Sequence, residues 1–306
     1  MSEIAAISPA KGDRAPLITI AMPIYNAGIY LRPAVVSILQ QTVTDWELII
    51  IDDGSSDSAA EGIGDLCDAR IRVLRDGFNR GLAARLNQAI DLARGRYFAR
   101  MDQDDISYPE RLARQLAMLE QNSELDLVAV RCVTIDTKNE LVGALPCALS
   151  HEEICARPWR GFYLAHPTWM GKIEWFRQHR YATPGPYFCE DQELLLRSHR
   201  RSRFATVPEI LFAYRVRRRI NWLKSIRTRI TLVGVQLRYF FGERSLGPGI
   251  LAALAFVARI TVDSFRALTQ SFSDAGHRYR AGRLGEEDVA HWHTVLANLR
   301  SDRTTA

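Results

Sequence analysis

The residues best suited to chemistry in this 306-residue chain are carboxylates in pairs: Asp52-Asp53, followed by Gly54-Ser55; Asp102 and Asp104 within Asp102-Gln103-Asp104-Asp105; and Glu190-Asp191. Carboxylates can accept hydrogen bonds from a base or a sugar, and can hold a hard divalent cation that in turn binds a diphosphate. In an extended segment Asp102 and Asp104 fall on the same side, so both can face one ion. Other polar residues close apolar runs in the same way: Pro23-Ile24-Tyr25-Asn26 after the first, and Arg75, then Asn79-Arg80-Gly81, after the third. Any one of these segments reads equally well as a plain turn, since Asp, Asn, Ser and Gly are turn formers. Four of them ending four strands imply a cleft for a polar ligand, because doubly wound sheets bind ligands at the carboxyl ends of their strands.

The elements that must position these residues follow from the pattern of apolar runs. Strands are expected at 17–22, 46–51, 71–74 and 97–101, with a further one at 125–135, alternating with helical stretches at 31–41, 58–66 and 82–93. That alternation is the signature of an α/β fold, a mostly parallel sheet flanked by helices. Ser58 with Glu61, and Ser107 with Glu110, have the spacing of capping boxes, and Pro109 suits the first turn of a helix at 108–120. Residues 141–216 are mixed, with short helices near Glu152 and Glu190 and an extended run at 210–216; beyond Arg217 the chain turns helical, at 220–241, 249–270 and 286–299. Two parts are therefore expected: a catalytic domain over 1–216 and a helical extension over 217–306.

Composition narrows the function. At 47% hydrophobic and 25% charged the chain is ordinary globular protein. No GxGxxG follows the first strand and no GxxxxGK[ST] occurs anywhere, which argues against dinucleotide redox chemistry and P-loop phosphoryl transfer. Cys67, Cys132, Cys147, Cys155 and Cys189 have neither zinc nor disulfide spacing, and acidic Glu3 stands where an export signal would be basic. A reduced, cytoplasmic setting is the expectation.

Residues 17–120 resemble the nucleotide-sugar-binding half of the family 2 glycosyltransferases, which have the GT-A fold. The matching stretches are ITIAMPIYNAGIYL, SILQQTVTDWELIIIDDGSSD and NRGLAARLNQAIDLARGRYFARMDQDDISYPERLARQ, in the family's order and spacing; His166-Pro167-Thr168 and Cys189-Glu190-Asp191-Gln192-Glu193-Leu194 resemble its acceptor-side motifs. The resemblance implies an inverting, metal-dependent, non-processive enzyme of the hexosyltransferase type that serves surface polysaccharide biosynthesis. It implies that Pro23, Tyr25, Asn26, Asp52, Asp53, Arg75, Asn79, Gly81 and Asp102 bind a nucleotide-sugar donor. Asp104 would hold Mg²⁺ or Mn²⁺, with Asp102 as the alternative ligand; Asp191, as base, and Glu190 would be the catalytic residues; His166 and Trp169 would lie on the acceptor side. Asp191, at a helix start and next to Glu190, feels opposing influences on its pKa. The Gln-x-x-Arg-Trp motif of processive members is absent, and Arg217 stands where many relatives carry His, which counts against a chain-elongating synthase. Two alternatives are weaker: a catalytically silent nucleotide-sugar or glycan-binding module, although all the expected carboxylates are present, and a sugar nucleotidyltransferase, for which PIYNAG lacks the Gly-rich basic loop.

The net charge of +5 is unevenly spread: residues 1–196 hold 20 basic and 27 acidic side chains, residues 197–306 hold 20 and 8. Arg215, Arg217, Arg218, Arg219, Lys224, Arg227 and Arg229 alternate with Ile220, Trp222, Leu223, Ile226, Ile230 and Leu232, and the uncharged run SLGPGILAALAFVA follows at 245–258. Such a segment suits an anionic membrane surface, and the run is shorter than the ~20 residues a span requires. Nucleic acid is not expected as the partner, because no helix-turn-helix, RRM or KH signature is present. The acceptor expected from this is a saccharide or a polyprenyl-diphosphate-linked sugar, with the protein peripheral at the inner face of the membrane.

Overall fold

A computed structural model describes residues 14–186, 188–216, 222–270, 282 and 284–301. Glu3 and the stretch from Arg217 to Ile220 therefore lie outside the described residues. The strands are β1 (Ile18–Ile24), β2 (Trp46–Asp52), β3 (Ile71–Arg75), β4 (Tyr97–Arg100), β5 (Ile106–Ser107), β6 (Leu127–Ile135), β7 (Leu141–Ala144), β8 (Met170–Lys172) and β9 (Phe204–Arg215). The helices are α1 (Leu31–Leu39), α2 (Leu82–Leu92), α3 (Arg111–Gln121), α4 (His151–Cys155), α5 (Ile173–Gln178), α6 (Glu190–Ser198), α7 (Trp222–Gly242), α8 (Leu246–Gln270) and α9 (Glu286–Ser301). One sheet runs β3-β2-β1-β4-β8-β6-β9-β5, with β7 added on β6. Its first four strands are all parallel, and β6 and β9 are parallel again beyond antiparallel β8.

The runs ITIAMPI and WELIIID are buried along their whole length, as central parallel strands covered on both faces must be. Their side chains alternate between two cores. Ile18, Ile20, Met22, Leu48 and Ile50 face the core that α1 and α3 cover, while Ala21, Ile49 and Ile51 face the one that α2, α5 and α6 cover. The C-terminal helices divide between them. Trp292, Val295 and Leu299 of α9 join the first core, where Trp292 stacks on Tyr108 at 6.2 Å and donates to the Asn139 carbonyl. Val235 and Phe240 of α7 and Ala252 of α8 join the second, and Gln236 of α7 donates to the carbonyls of Pro158 and Trp159.

Neither expected capping box forms. Ser107 lies in β5, where its hydroxyl accepts from Gln41 and its N–H donates to the Ser37 hydroxyl, so α3 starts at Arg111, after Pro109 rather than around it. Glu61 opens a 3₁₀ turn, Glu61–Leu66, and its carboxylate goes to Arg75 instead. The box that does form is Ser150 with Glu153 at the start of α4.

Candidate active site

The loops leaving β1, β2 and β4, together with residues 79–81 ahead of α2, meet at the carboxyl edge of the parallel strands and enclose a cleft of about 820 Å³. Pro23, Tyr25, Asn26, Asp53, Asn79, Gly81, Asp102 and Asp104 line it, so eight of the expected donor and metal residues are brought together. Asp52 and Arg75 are not among the lining residues. Successive side chains at a strand end point oppositely, and Asp52 is turned under the loop. There its carboxylate accepts the Ser55 N–H at 2.8 Å and Arg75 Nε at 2.8 Å.

Asp53 is held by three donors: the backbone N–H groups of Arg80 (2.7 Å) and Gly81 (3.0 Å), and Nε of the fully buried Arg85 (2.8 Å). This draws residues 77–81 against the β2 loop so tightly that a Cβ on Gly54, whose φ is +77°, would stand 3.0 Å from the Asn79 nitrogen. The Asp-Gly step is thus required by backbone approach as well as by turn geometry. A second clamp joins β1 to β4. The Gln103 side chain accepts from the Tyr25 N–H at 2.6 Å and donates to the Tyr25 carbonyl at 3.0 Å.

Asp102 accepts from Arg100 Nη2 at 2.5 Å. Arg100 is 2% exposed, and its Nε and Nη1 have no hydrogen-bond partner. Burial opposes its charge, but the negative groups around it, Asp102 first, hold its pKa above the usual value. Arg215 fastens the β4–β5 loop from the other side. Its Nε donates to the Asp104 carbonyl (2.7 Å), its N–H to Asp105 Oδ1 (2.7 Å), and its guanidinium lies 4.5 Å from the Tyr30 ring. Burial, with Asp102 and Asp104 nearby, pushes the Asp105 carboxyl well above the usual range. Among the described residues no group of three His, Cys, Asp or Glu could hold a metal alone. The cleft therefore offers Asp104 and Asp102, which fits a hard cation of the Mg²⁺ type that takes one or two carboxylates and completes its shell with phosphate oxygens and water.

Glu190 and Asp191 open α6 next to this cleft without lining it; Phe188, two residues before Glu190, does line it. Burial, reinforced by Asp191, pushes Glu190 up to about 7. Burial also raises Asp191, outweighing the hydrogen bond from Gln192 Nε2 (3.1 Å) and the attraction of Arg100. Burial, rather than the helix start or the neighbouring Glu190, therefore sets the direction for Asp191. His166 is buried beside the pair: its Nε2 and the Tyr181 hydroxyl are 2.8 Å apart, its Nδ1 is 3.8 Å from Glu190, and burial lowers its pKa well below the usual value, leaving it neutral. Trp169, expected on the acceptor side, is fully buried. It packs behind the His166 ring at 4.5 Å and donates to the Leu164 carbonyl, so it supports His166 and cannot touch an acceptor.

Sequence reasoning missed Gln103, Tyr30, Phe188, Tyr214, Arg215 and Lys224 as lining residues. Arg215 and Lys224 were counted with the basic membrane-facing segment. Instead Arg215 is 9% exposed within the site, and Lys224 reaches the cleft from α7, with Nζ 3.9 Å from the centre of the Phe188 ring. The sequence signal for Arg215 was its place near the end of the expected extended run 210–216, which is the end of β9. Cys189 is buried, and its thiol donates to the Thr228 carbonyl and so ties the start of α6 to α7.

Comparison with known proteins gives this geometry a family. The model of the family described as Glycosyl transferase family 2 matches residues 19–229. An uncharacterised glycosyltransferase of Methanocaldococcus jannaschii is 29% identical over 218 residues, covering 69% of this chain and 75% of that one. The Escherichia coli enzyme named UDP-Glc:alpha-D-GlcNAc-diphosphoundecaprenol beta-1,3-glucosyltransferase is 36% identical over 107 residues, 35% of this chain and 42% of that one. Among solved structures, a Pyrobaculum calidifontis mannosyltransferase in complex with GDP-Man and Mn²⁺ superposes with a TM-score of 0.59 at 17% identity, covering 95% of this chain and 84% of that one, which shows the shared GT-A fold. With the family match running from β1 through the carboxylate cleft and α6 into α7, the chain belongs to glycosyl transferase family 2 and is a glycosyltransferase.

Proposed function

We propose that this glycosyltransferase moves a sugar from a nucleotide-diphosphate donor to a hydroxyl of a saccharide or polyprenyl-diphosphate-linked acceptor, with inversion, in the assembly of a surface polysaccharide. The observation that carries this reading is the placement of the Glu190–Asp191 pair, with its raised pKa values, beside a cleft lined by Asp53, Asp102 and Asp104. The donor's base and ribose would lie against Pro23, Tyr25, Asn26 and Asp53, and its diphosphate toward Asp102 and Asp104. Asp104, with Asp102 as the alternative, would hold Mg²⁺ or Mn²⁺, which when bound neutralises the charge of the leaving diphosphate. The mannosyltransferase neighbour, described with GDP-Man and Mn²⁺, supports both the donor class and the metal. The E. coli relative, named for a diphosphoundecaprenol acceptor, supports the acceptor class.

Asp191 would act as base. It removes the proton of the attacking hydroxyl as that oxygen bonds to the anomeric carbon and the bond from that carbon to the diphosphate oxygen breaks on the opposite face. Burial raises Asp191 and makes it a stronger proton acceptor than a solvated aspartate, provided the pH is high enough to ionise it. Neutral His166 and Tyr181 shape the wall behind Glu190. A panel of nucleotide-sugars with Mn²⁺ or Mg²⁺, scored for thermal stabilisation and donor hydrolysis, tests the reading. One donor should stand out in a metal-dependent way, and a panel with no such donor would sink it.

A further inference from the structure

We propose that the outer face of the α7–α8 hairpin is a docking surface for an anionic lipid bilayer, on which α8 lies in the plane of the interface without crossing it. On α8, Leu246, Ile250, Leu254, Val257 and Phe265 recur every three or four residues apart from one longer step and are 58–68% exposed, so they form one apolar stripe, flanked by Leu251 and Val262. Among the described residues this is the one helix long and apolar enough to cross a membrane by length and composition. The two charged residues between Leu246 and Phe265 turn the other way. Arg259 donates to the Arg160 carbonyl at 2.6 Å, and Asp263 accepts from Arg229 Nε of α7 at 3.1 Å. A surface helix in water shows the reverse arrangement, and an exposed apolar stripe of this length marks a partner.

Charge selects the partner. The exposed ridge of α7 interleaves Leu223, Ile230 and Phe241 with Arg227 and Arg238, and exposed Arg244 closes the turn into α8. The nearby acid, Glu243, is already paired with Arg200 at 2.7 Å. An apolar stripe bordered by arginines matches anionic headgroups over acyl chains. A two-fold contact between copies of the same face would instead set arginine against arginine.

The seating is in-plane because α8 is fastened along its length. Gly249 packs so closely on Phe241 that a Cβ would stand 3.2 Å from its ring, Ala252 is buried, and Arg259 and Asp263 are tied to the domain. Twenty helical residues would reach ~30 Å and could span a bilayer, but crossing would carry the Arg229–Asp263 pair into hydrocarbon. Since Lys224, near the start of α7, lines the cleft, the seated hairpin sets the cleft beside the membrane.

The test is cosedimentation of the full chain with phosphatidylcholine vesicles, with and without phosphatidylglycerol. The unaltered protein should bind the anionic vesicles, and less so in high salt. An alkaline carbonate wash should release it. The double variant Ile250→Asp/Leu254→Asp should partition at least about tenfold less, from the lost apolar burial. Arg227→Glu/Arg238→Glu should also lose about tenfold. Unchanged thermal unfolding midpoints would show that both variants, altered only at exposed positions, remain folded. The proposal is overturned if the unaltered chain ignores anionic vesicles, if the folded Asp variant binds as well as the parent, or if carbonate leaves the protein in the membrane. It is equally overturned if light scattering shows a dimer that the Asp variant separates. None of these readouts depends on sugar transfer.

Discussion

Replacing Glu190 by Gln should stabilise the fold at alkaline pH and hardly change it in acid. Glu190 lies beside His166 with 13% of its side chain exposed, and its carboxyl is raised from 4.5 to about 7 by burial and by Asp191. That shift already includes the opposing attraction of Arg100, so it measures the net cost of ionising the group in place. A folded-state pKa above the unfolded one means that the carboxyl's contribution is fully present below about pH 4.5 and is lost as pH rises through about 7. At roughly 1.4 kcal/mol per unit, the penalty above pH 8 is about 3 kcal/mol. Gln keeps the size and removes the charge, so it recovers that amount only where the Glu is ionised. Urea unfolding of both proteins at pH 5 and pH 8.5 reads the difference directly. Expected is a gain of about 3 kcal/mol at pH 8.5 and a small fraction of it at pH 5. Equal gains at the two pH values, or a loss at pH 8.5, would refute the reasoning, because the Glu190 carboxylate would then be favourably held by Arg100 and the pair would not be under repulsive strain. The same variant should keep transfer activity, because Asp191 is the proposed base and its pKa is raised by its own burial.

Asp191→Asn should keep donor-induced thermal stabilisation, since Asp191 does not line the donor cleft and an amide can still accept from Gln192. Transfer should fall by about 10²–10⁴-fold, the usual contribution of a general base, and normal turnover would remove the assignment. In the unaltered protein the transfer rate should drop as pH falls through the raised pKa of Asp191, above the range of a solvated aspartate; a rate that holds until the ordinary aspartate range would contradict this. Asp104→Ala should abolish the Mn²⁺-dependent part of nucleotide-sugar binding by calorimetry, and metal-dependent binding that survives would remove the assignment. Asp53→Ala is different in kind. It strips a partner from buried Arg85 and from two backbone N–H groups, so it should destabilise by about 3–5 kcal/mol in denaturant titrations.

The parallel half of the fold was legible because β1, β2 and β4 are buried along their whole length and are nearly unbroken apolar runs. The expected run at 46–51 and the observed Trp46–Asp52 differ by one residue. Strands β5, β7 and β8 were not anticipated as separate strands: two to four residues carry no periodicity, and β5 and β8 are defined by antiparallel partners far along the chain, β7 by the neighbouring β6. The capping boxes failed for a related reason, since a local motif worth about 1 kcal/mol loses to tertiary partners such as Gln41 and Arg75. Within the site, pattern could find Asp52-Asp53 but not which of the two faces the cleft; the direction of the last side chain of β2 decides that. That Trp169 packs behind His166 was not legible, because nothing in His-Pro-Thr-Trp says which ring looks outward. Lys224 was read as surface charge because its helix lies beyond the strands that define the cleft, and tertiary packing, including the Cys189–Thr228 contact, brings α7 to it.

The carboxylates of the active edge divide into two groups, and the division follows from arginine placement. Asp52 has Arg75, Asp53 has Arg85, Asp102 has Arg100, and Asp105 receives the backbone of Arg215. Each of these arginines sits on or beside a strand end or the helix behind it, so the loops are fixed before any ligand arrives. Asp105 is still pushed upward, because a backbone N–H cannot offset full burial next to Asp102 and Asp104. Glu190 and Asp191 feel Arg100 only at a distance, after Asp102 has taken its Nη2, and burial dominates both. A ligand drawing Asp102 toward itself would loosen that bond and leave Arg100, with Nε and Nη1 already unpartnered, freer to act on the Glu190–Asp191 pair. Buried Arg100, between the donor residues and the base, thus links the two, and the acid limb of the rate profile should lie at lower pH with donor bound than in the free enzyme. Comparing kcat and kcat/KM profiles measures that difference, and coincident limbs would show that Arg100 serves Asp102 alone.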